Sequence, residues 1–572
     1  METKIADNFI FDSVLDHSVQ DSDKTPFVRK NLNYIVDQQN GSGSYTSGQI
    51  IIDSTSLASS GNTFQDWSNA YIALPYNVKL EGTLSQTTGA TAPASVFNNY
   101  LTSLKNNAII DSITVEQGGK TVINQTSNLA QLVNFKMHST FSQDTLNKMS
   151  GSLNYYPDSV GAYTYTGTAT RGVDNTDNLP TSITNFGPPE SYNSGAFIRQ
   201  QKMAPYVTSL TTQTKQISEA DVIQKGVALT SLTTTPTSLV LSDLHFIATI
   251  RLKDLADYFA KHPKLTRGIG YKIYLRVNQG VTTFTHTAGV SVVSTVVTPP
   301  FSTANITAQV FTPIGSCLCQ PAMVHVGNNT VAGSVLWGDG TNVVTLAANT
   351  LKLTSQVDVG SDALLSGVRL YVPSYECAPE AQATLMRQPV LQRPFFDIYH
   401  NVIPAQGAGS YINAQIASGI SSPKALIVVP QIAQSVLSMN SQASALNPSP
   451  GVTDPQLSLT STQIKLGPNY VLPDRLNYDF INFIENNSQL FGLNGNQTDS
   501  MSSGLIDFQK WRHNMRYYSY DLSRYLDSQD GIPQMITFES FNNSNVSVDL
   551  YVYVLWERNA EFSLEKGAVD VQ

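Results

Sequence analysis

The chain is short of charge, of cysteine and of any concentration of positive residues. Only 13% of its 572 residues are charged, against about 25% in an average soluble protein. Polarity comes instead from Ser, Thr, Asn, Gln and Tyr. Such a surface hydrogen-bonds without strong fields and suits a large β-rich protein whose long loops are covered by neighbours. Net charge is −9, and the first 25 residues set Glu2, Asp7, Asp12, Asp16, Asp21 and Asp23 against Lys4 and Lys24. Displacing counterions from phosphates needs clustered Lys and Arg, so no strong direct nucleic-acid binding is expected of this segment.

Three cysteines, Cys317, Cys319 and Cys377, are an odd and sparse set for a disulfide framework. They read as small buried hydrophobes or free thiols. No apolar run of roughly 18 residues is present, so no transmembrane helix is expected. Met1-Glu2-Thr3-Lys4 lacks an apolar core segment, so no secretory signal is expected. The sequons at Asn124, Asn305 and Asn496 are what chance supplies in an Asn-, Ser- and Thr-rich chain.

Catalytic patterns are missing as well. There is no His-Glu-x-x-His, Gly-x-Ser-x-Gly or Cys-x-x-Cys, and the eight histidines are scattered. Gly118-Gly119-Lys120-Thr121 looks like the end of a P-loop, but Thr114 stands where the leading glycine is required. It reads as a hairpin turn between Ile113-Thr114-Val115 and Thr121-Val122-Ile123. His513, beside Trp511 and Arg512, is weighed for catalysis and set aside: buried aromatics and Arg–carboxylate pairs packing against a neighbouring element account better for that stretch. No catalytic, cofactor-binding or metal-binding residue is assigned, no cofactor is expected, and the chain is read as not an enzyme.

What the chain does have is strands. In Val548-Asp549-Leu550-Tyr551-Val552-Tyr553-Val554-Leu555-Trp556, the residues Val548, Leu550, Val552, Val554 and Trp556 share one face, as in a strand with one buried side. Gly367-Val368-Arg369-Leu370-Tyr371-Val372-Pro373 is a weaker echo. Ile50-Ile51-Ile52 followed by Ala70 to Tyr76, the latter expected to stop at Pro75, is matched by Tyr411 to Ile416 followed by Lys424 to Pro430. The same start and end occur twice, so an internal duplication is inferred. Tyr271 to Val277 and His245 to Arg251 are further strands. Lys253 to Lys261 reads as a helix with Leu255, Tyr258 and Phe259 on one face, and a second helix follows a cap at Asn477.

The expected division is an arm over 1–48 that orders only against a partner, a first unit over 49–376, a linker over 377–394, a second unit over 395–560 and a tail over 561–572. The first unit is longer because of two stretches, about 150–200 and 280–350, taken as surface loops. Tyr155, Tyr156, Tyr163 and Tyr165 crowd the first of these. They serve either recognition of glycan or protein, or contacts within an assembly.

These segments resemble the double jelly-roll major capsid proteins of virophages, polinton-like viruses and related DNA viruses. Arg369 to Pro373 resembles the strand closing the first jelly roll. Arg393 to His400 and Lys424 to Pro430 resemble the opening of the second, and Gly504 to Arg524 with Asn542 to Arg558 its end. The resemblance implies an all-β fold of two tandem jelly-roll sandwiches with a few short helices in loops. It implies a homotrimer of pseudo-hexagonal outline that tiles an icosahedral virion shell assembled inside the host cell. Implied partners are other copies of the chain, penton proteins and minor or cement capsid proteins. A host receptor would meet the outer loops, while an inner membrane is left open. The competing reading is a secreted β-sandwich that binds carbohydrate or acts as an adhesin.

Overall fold

The computed structural model describes residues 27–38, 45, 48–58, 63–86, 100–153, 155–157, 199, 204–205, 237–286, 291–292, 306–314, 320–326, 344–359, 363–387, 389–433, 457–492, 505–513, 515–523 and 532–571. The first set of strands is β1 (Phe27–Val36), β2 (Gln49–Asp53), β3 (Thr63–Gln65), β4 (Tyr71–Gln86), β5 (Tyr100–Leu104), β6 (Ile110–Gln117), β7 (Lys120–Thr126), β8 (Ala204–Pro205) and β9 (Thr237–Arg251). It continues with β10 (Lys272–Val277), β11 (Gly280–His286), β12 (Ser291–Val292), β13 (Ile306–Pro313), β14 (Ala322–Val326), β15 (Val344–Val357) and β16 (Arg369–Cys377). The second set is β17 (Val390–Gln406), β18 (Tyr411–Ile420), β19 (Pro423–Ile432), β20 (Leu459–Leu466), β21 (Asn469–Tyr470), β22 (Tyr518–Asp521), β23 (Gln534–Asn542), β24 (Val548–Ser563) and β25 (Ala568–Val571).

The pairing explains the fold. In the second set the first strand pairs the eighth (β17 with β24), the second the seventh (β18 with β23), the third the sixth (β19 with β22) and the fourth the fifth (β20 with β21). All are antiparallel, so the chain is a long hairpin. Rolling it up joins the eighth strand to the third (β24 with β19) and the seventh to the fourth (β23 with β20). Two sheets result, β17-β24-β19-β22 and β18-β23-β20-β21. This is an eight-stranded jelly roll.

The first set repeats the scheme: β1 pairs β16, β2 pairs β10, β4 pairs β9 and β6 pairs β7. The roll is again closed by β16 with β4 and β10 with β6. β11, β12, β13 and β15 extend one sheet beyond this common set, and β14 pairs β5 apart from it. The molecule is therefore two jelly rolls with the same strand order.

Several expectations are corrected. Phe27–Val36 lies in the stretch read as an arm without a partner in its own chain, yet it is the first strand of the first roll, in register from Phe27 opposite Cys377 to Val36 opposite Arg369. β4 does not stop at Pro75. There its neighbour changes from β16, last paired at Ala73, to β15, first paired at Tyr76, so the missing N–H leaves no ladder bond unmade. The supposed linker holds the Pro379–Leu385 helix, which Pro379 starts from its first turn, and the first residues of β17. Pro394 is tolerated there because β17 is an edge strand. The supposed tail continues β24 to Ser563 and adds β25 on its flank. Of the stretch 280–350 taken as loop, all the described residues but Ile314, Gln320 and Pro321 lie in strands β11 to β15.

Other readings hold. Gly118 and Gly119, at φ +58° and +83°, make the two-residue turn between β6 and β7. β10 buries Ile273, Leu275 and Val277 in alternation. The cap of the Phe480–Gly492 helix is Asp479 rather than Asn477. Asp479 Oδ1 accepts from the Asn482 N–H at 2.9 Å, while Asn482 Oδ1 accepts from the Asp479 N–H at 3.0 Å. Cys377 is a buried free thiol that burial pushes up to about 12. Cys317, Cys319, Tyr163 and Tyr165 lie outside the described residues, as does the side chain of His513.

Candidate assembly interface

The two rolls meet along a buried seam built by residues from both. The Leu129–Thr140 helix carries two apolar stripes. Leu129, Val133 and Met137, spaced i, i+4, i+8, enter the first core, while Leu132 and Phe135 enter the second. Phe135 stands edge-on to Tyr517 at 4.8 Å between ring centres. The exchange is mutual: Phe395, Ala560, Phe562 and Val569 of the second set of strands belong to the core of the first.

Aromatic rings fill one end of the seam. Tyr258 lies 5.2 Å from Phe395 and 5.8 Å from Phe562, and His262 is 4.7 Å edge-on to Phe562. Their polar ends are joined: the Tyr258 and Tyr271 hydroxyls are 2.6 Å apart, and His262 Nε2 is 2.8 Å from the Tyr271 hydroxyl. At the other end Tyr553 donates to the Asn128 carbonyl at 2.7 Å and stacks near His400, 4.8 Å away. Between them Arg558 bridges Asp397 at 2.8 Å and the Val122 carbonyl at 3.2 Å. Burial raises the Asp397 carboxyl above its ordinary range, against the pull of Arg558. Asp257 accepts the Phe396 N–H at 3.0 Å, and Gln117 both donates to the Gly567 carbonyl and accepts from the Val569 N–H.

The backbones touch where Gly268 and Gly567 meet. Both have positive φ, and a Cβ built on Gly567 would lie 2.4 Å from the Gly268 carbonyl oxygen, so a larger residue would push the rolls apart. An apolar cavity of about 80 Å³ remains under the helix, walled by Leu132, Phe135, Phe396, Ile398, Ile427 and Leu555.

The expected buried face of β24 is present at Val548, Leu550, Val552 and Val554. The opposite face is buried too, at Tyr551 and Tyr553, because the first roll covers it. Asp549, expected in solvent, is 7% exposed and accepts the Ala405 N–H at 2.7 Å. Trp556, expected in the core, is only half-buried. In the Trp511 stretch Trp511 and Tyr517 are buried as expected, and Arg516 stacks 4.9 Å over Trp511 and donates to the Leu457 and Arg512 carbonyls. Tyr155, grouped with exposed loop tyrosines, is fully buried against His138 and Phe141. The bridging helix escaped the sequence reading, although its two stripes were there to be found.

Two surfaces stay open. On the outer face of the first sheet, Tyr34, Tyr371 and Tyr71 form a row across β1, β16 and β4, with centroids 6.0 and 5.1 Å apart and Arg369 over Tyr34 at 5.2 Å. Tyr34 and Leu32 are 57% and 50% exposed. On the second roll, the Phe480–Gly492 and Phe508–His513 helices expose Ile481 (64%) and Phe508 (50%). Among the described residues no group of three or more His, Cys, Asp or Glu could hold a metal ion, and no helix is long and apolar enough to cross a membrane.

No protein-family model and no curated protein matches the chain. Among solved structures it is similar to a chain of the Sputnik virophage determined by cryo-electron microscopy, at 11% identity over 97% of this chain and 91% of that one, with a TM-score of 0.48. It is similar to the mavirus major capsid protein at 10% identity over 95% and 90% of the two chains, with a TM-score of 0.40. It is similar to the Faustovirus major capsid protein at 9% identity over 96% and 94%, with a TM-score of 0.39.

Proposed function

We propose that the chain is a major capsid protein, a structural subunit without turnover that forms a trimeric, pseudo-hexagonal tile of an icosahedral shell. The observation that carries this is the pair of jelly rolls with one strand order, locked side by side by a seam in which each core contains residues of the other. One chain is then a rigid pair of similar towers. Three chains present six, which pack on a hexagonal lattice. The sequence resemblance supports the same reading.

The division that suits this role is a first unit from 27 to 377, a second from 390 to 571 and the Pro379–Leu385 helix between them. The partners are other copies of the chain, penton proteins and minor or cement proteins. A host receptor would meet the loops, and the site of residence is the virion after assembly in the host cell. Light scattering and negative-stain microscopy of the full chain test this. A trimer of hexagonal outline is expected, and a protein that stays monomeric at tens of micromolar would overturn it.

A further inference from the structure

We infer that the outer face around Tyr34, Tyr371 and Tyr71 seats the Phe480–Gly492 and Phe508–His513 helices of a second copy of this chain. This rests on the trimeric reading above and names the surfaces that would make the trimer.

The warrant is the duplication. In each roll the fifth and sixth strands are joined by a connection containing helix, and the first, eighth, third and sixth strands make a sheet with an outer face. In the first roll that connection carries the Leu129–Thr140 helix, which lies on the outer face of the second roll's sheet. The helix of the first roll and the sheet face of the second are thereby both used.

The two equivalents left over are the helices between β21 and β22 and the outer face of β1 and β16, up to Tyr71 at the start of β4. Both expose apolar side chains, Leu32 and Tyr34 on the sheet and Ile481 and Phe508 on the helices. Across β17, β24 and β19 the row Ile398, Leu555 and Ala425 walls the cavity under the helix. Across the equivalent strands β1, β16 and β4 lies the row Tyr34, Tyr371 and Tyr71, open to solvent at Tyr34. The outward positions of β1 and β16 include Lys30 and Arg369 and no acid, while Glu485 follows the exposed Ile481 by one helical turn and Asp479 caps that helix.

A helix of one copy on the sheet of the next is a head-to-tail contact, which closes into a ring when the rotation allows. Three copies then carry six equivalent contacts, three within chains and three between.

Full-length Ile481→Glu and Tyr34→Glu, studied by light scattering and native mass spectrometry, test the inference. Both side chains are exposed, so melting within a few degrees of wild type is expected. Each variant alone should be monomeric, its association weakened at least 100-fold. Mixed together they should form heterodimers, because one intact helix still meets one intact face. The uncharged Ile481→Ser and Tyr34→Ser should weaken the trimer in the same order. Variants that remain trimers beside a trimeric wild type, or a mixture that stays monomeric, would overturn this surface and leave the trimer standing. A monomeric wild type would remove the trimer itself.

Discussion

Acid should open the seam, because three histidines are held there uncharged. His138 sits on the bridging helix, 3.3 Å from the Tyr517 hydroxyl; His262 is under Phe562; His400 is under Tyr553. Burial pushes His138 and His262 down to about 3 and His400 down to about 4. The Nε2 atoms of His138 and His400 are buried without a hydrogen-bond partner. A depressed folded value means that the unfolded chain takes up the proton first. The histidines therefore cost nothing above pH 6.5, and stability is lost as pH falls from there toward their folded values. Two pH units below 6.5, each contributes a loss on the order of 2–3 kcal/mol at about 1.4 kcal/mol per unit. Three together approach the whole stability of an ordinary domain, about 5–15 kcal/mol. Urea unfolding at pH 7.5 and 4.5, at fixed protein concentration, measures this. His400→Leu removes one titrating group and one unsatisfied atom, and it should lose on the order of 2–3 kcal/mol less than wild type between the two pH values. Equal losses in the two proteins would refute the placement of a neutral His400 in a buried seam.

The opposite sign is expected at His245, clamped between Asp358 at 2.7 Å and Asp243 at 3.3 Å and held up to about 9. Its contribution is complete below pH 6.5 and lost as pH rises through 9, so melting curves should show an alkaline decline that His245→Gln lacks. Gly567→Ala should lower stability by about 2 kcal/mol or more through strain and the Gly268 contact, whereas Gly409→Ala, also at positive φ but with open space around it, should cost about 1 kcal/mol; equal melting temperatures would contradict the close approach. Asp549→Ala should cost about 1 kcal/mol by removing the buried carboxylate that accepts the Ala405 N–H, and Trp556→Ala less than the roughly 3–5 kcal/mol of a fully buried ring; chemical denaturation ranks the two.

Much of the fold was legible because one-sided strands write their period into the residues. β24, β16 and β10 were found that way, and the matched pairs beginning at Ile50 and Tyr411 are the second and third strands of each roll. β1 was missed although Val28, Leu32 and Tyr34 alternate along it: that apolar set faces outward, while Asn31 and Asn33 occupy the inward positions, Asn33 bonding to the Ser374 hydroxyl at 3.0 Å. The 280–350 stretch that holds β11 to β15 is rich in Thr, Val and Gly and reads as loop. The seam was the least legible part. Tyr551, Tyr553 and Asp549 look like a solvent face unless it is known that a second roll lies over them, and no local pattern carries that information.

The pairing of β1 with β16 also sets an order of events during synthesis. Phe27 finds Cys377 only after the intervening chain, roughly 350 residues, has been made, which takes about 20–70 s at 5–20 residues per second. Once Arg251 has been made β4 and β9 can pair, but the flank of their sheet that β16 will occupy still stands open. The second roll closes later still, when β24 reaches β17. The aromatic end of the seam waits for Phe562 on that same strand. Contacts this distant in sequence fold slowly, so the nascent chain keeps strand edges unpaired until β16, and then β24, have been made.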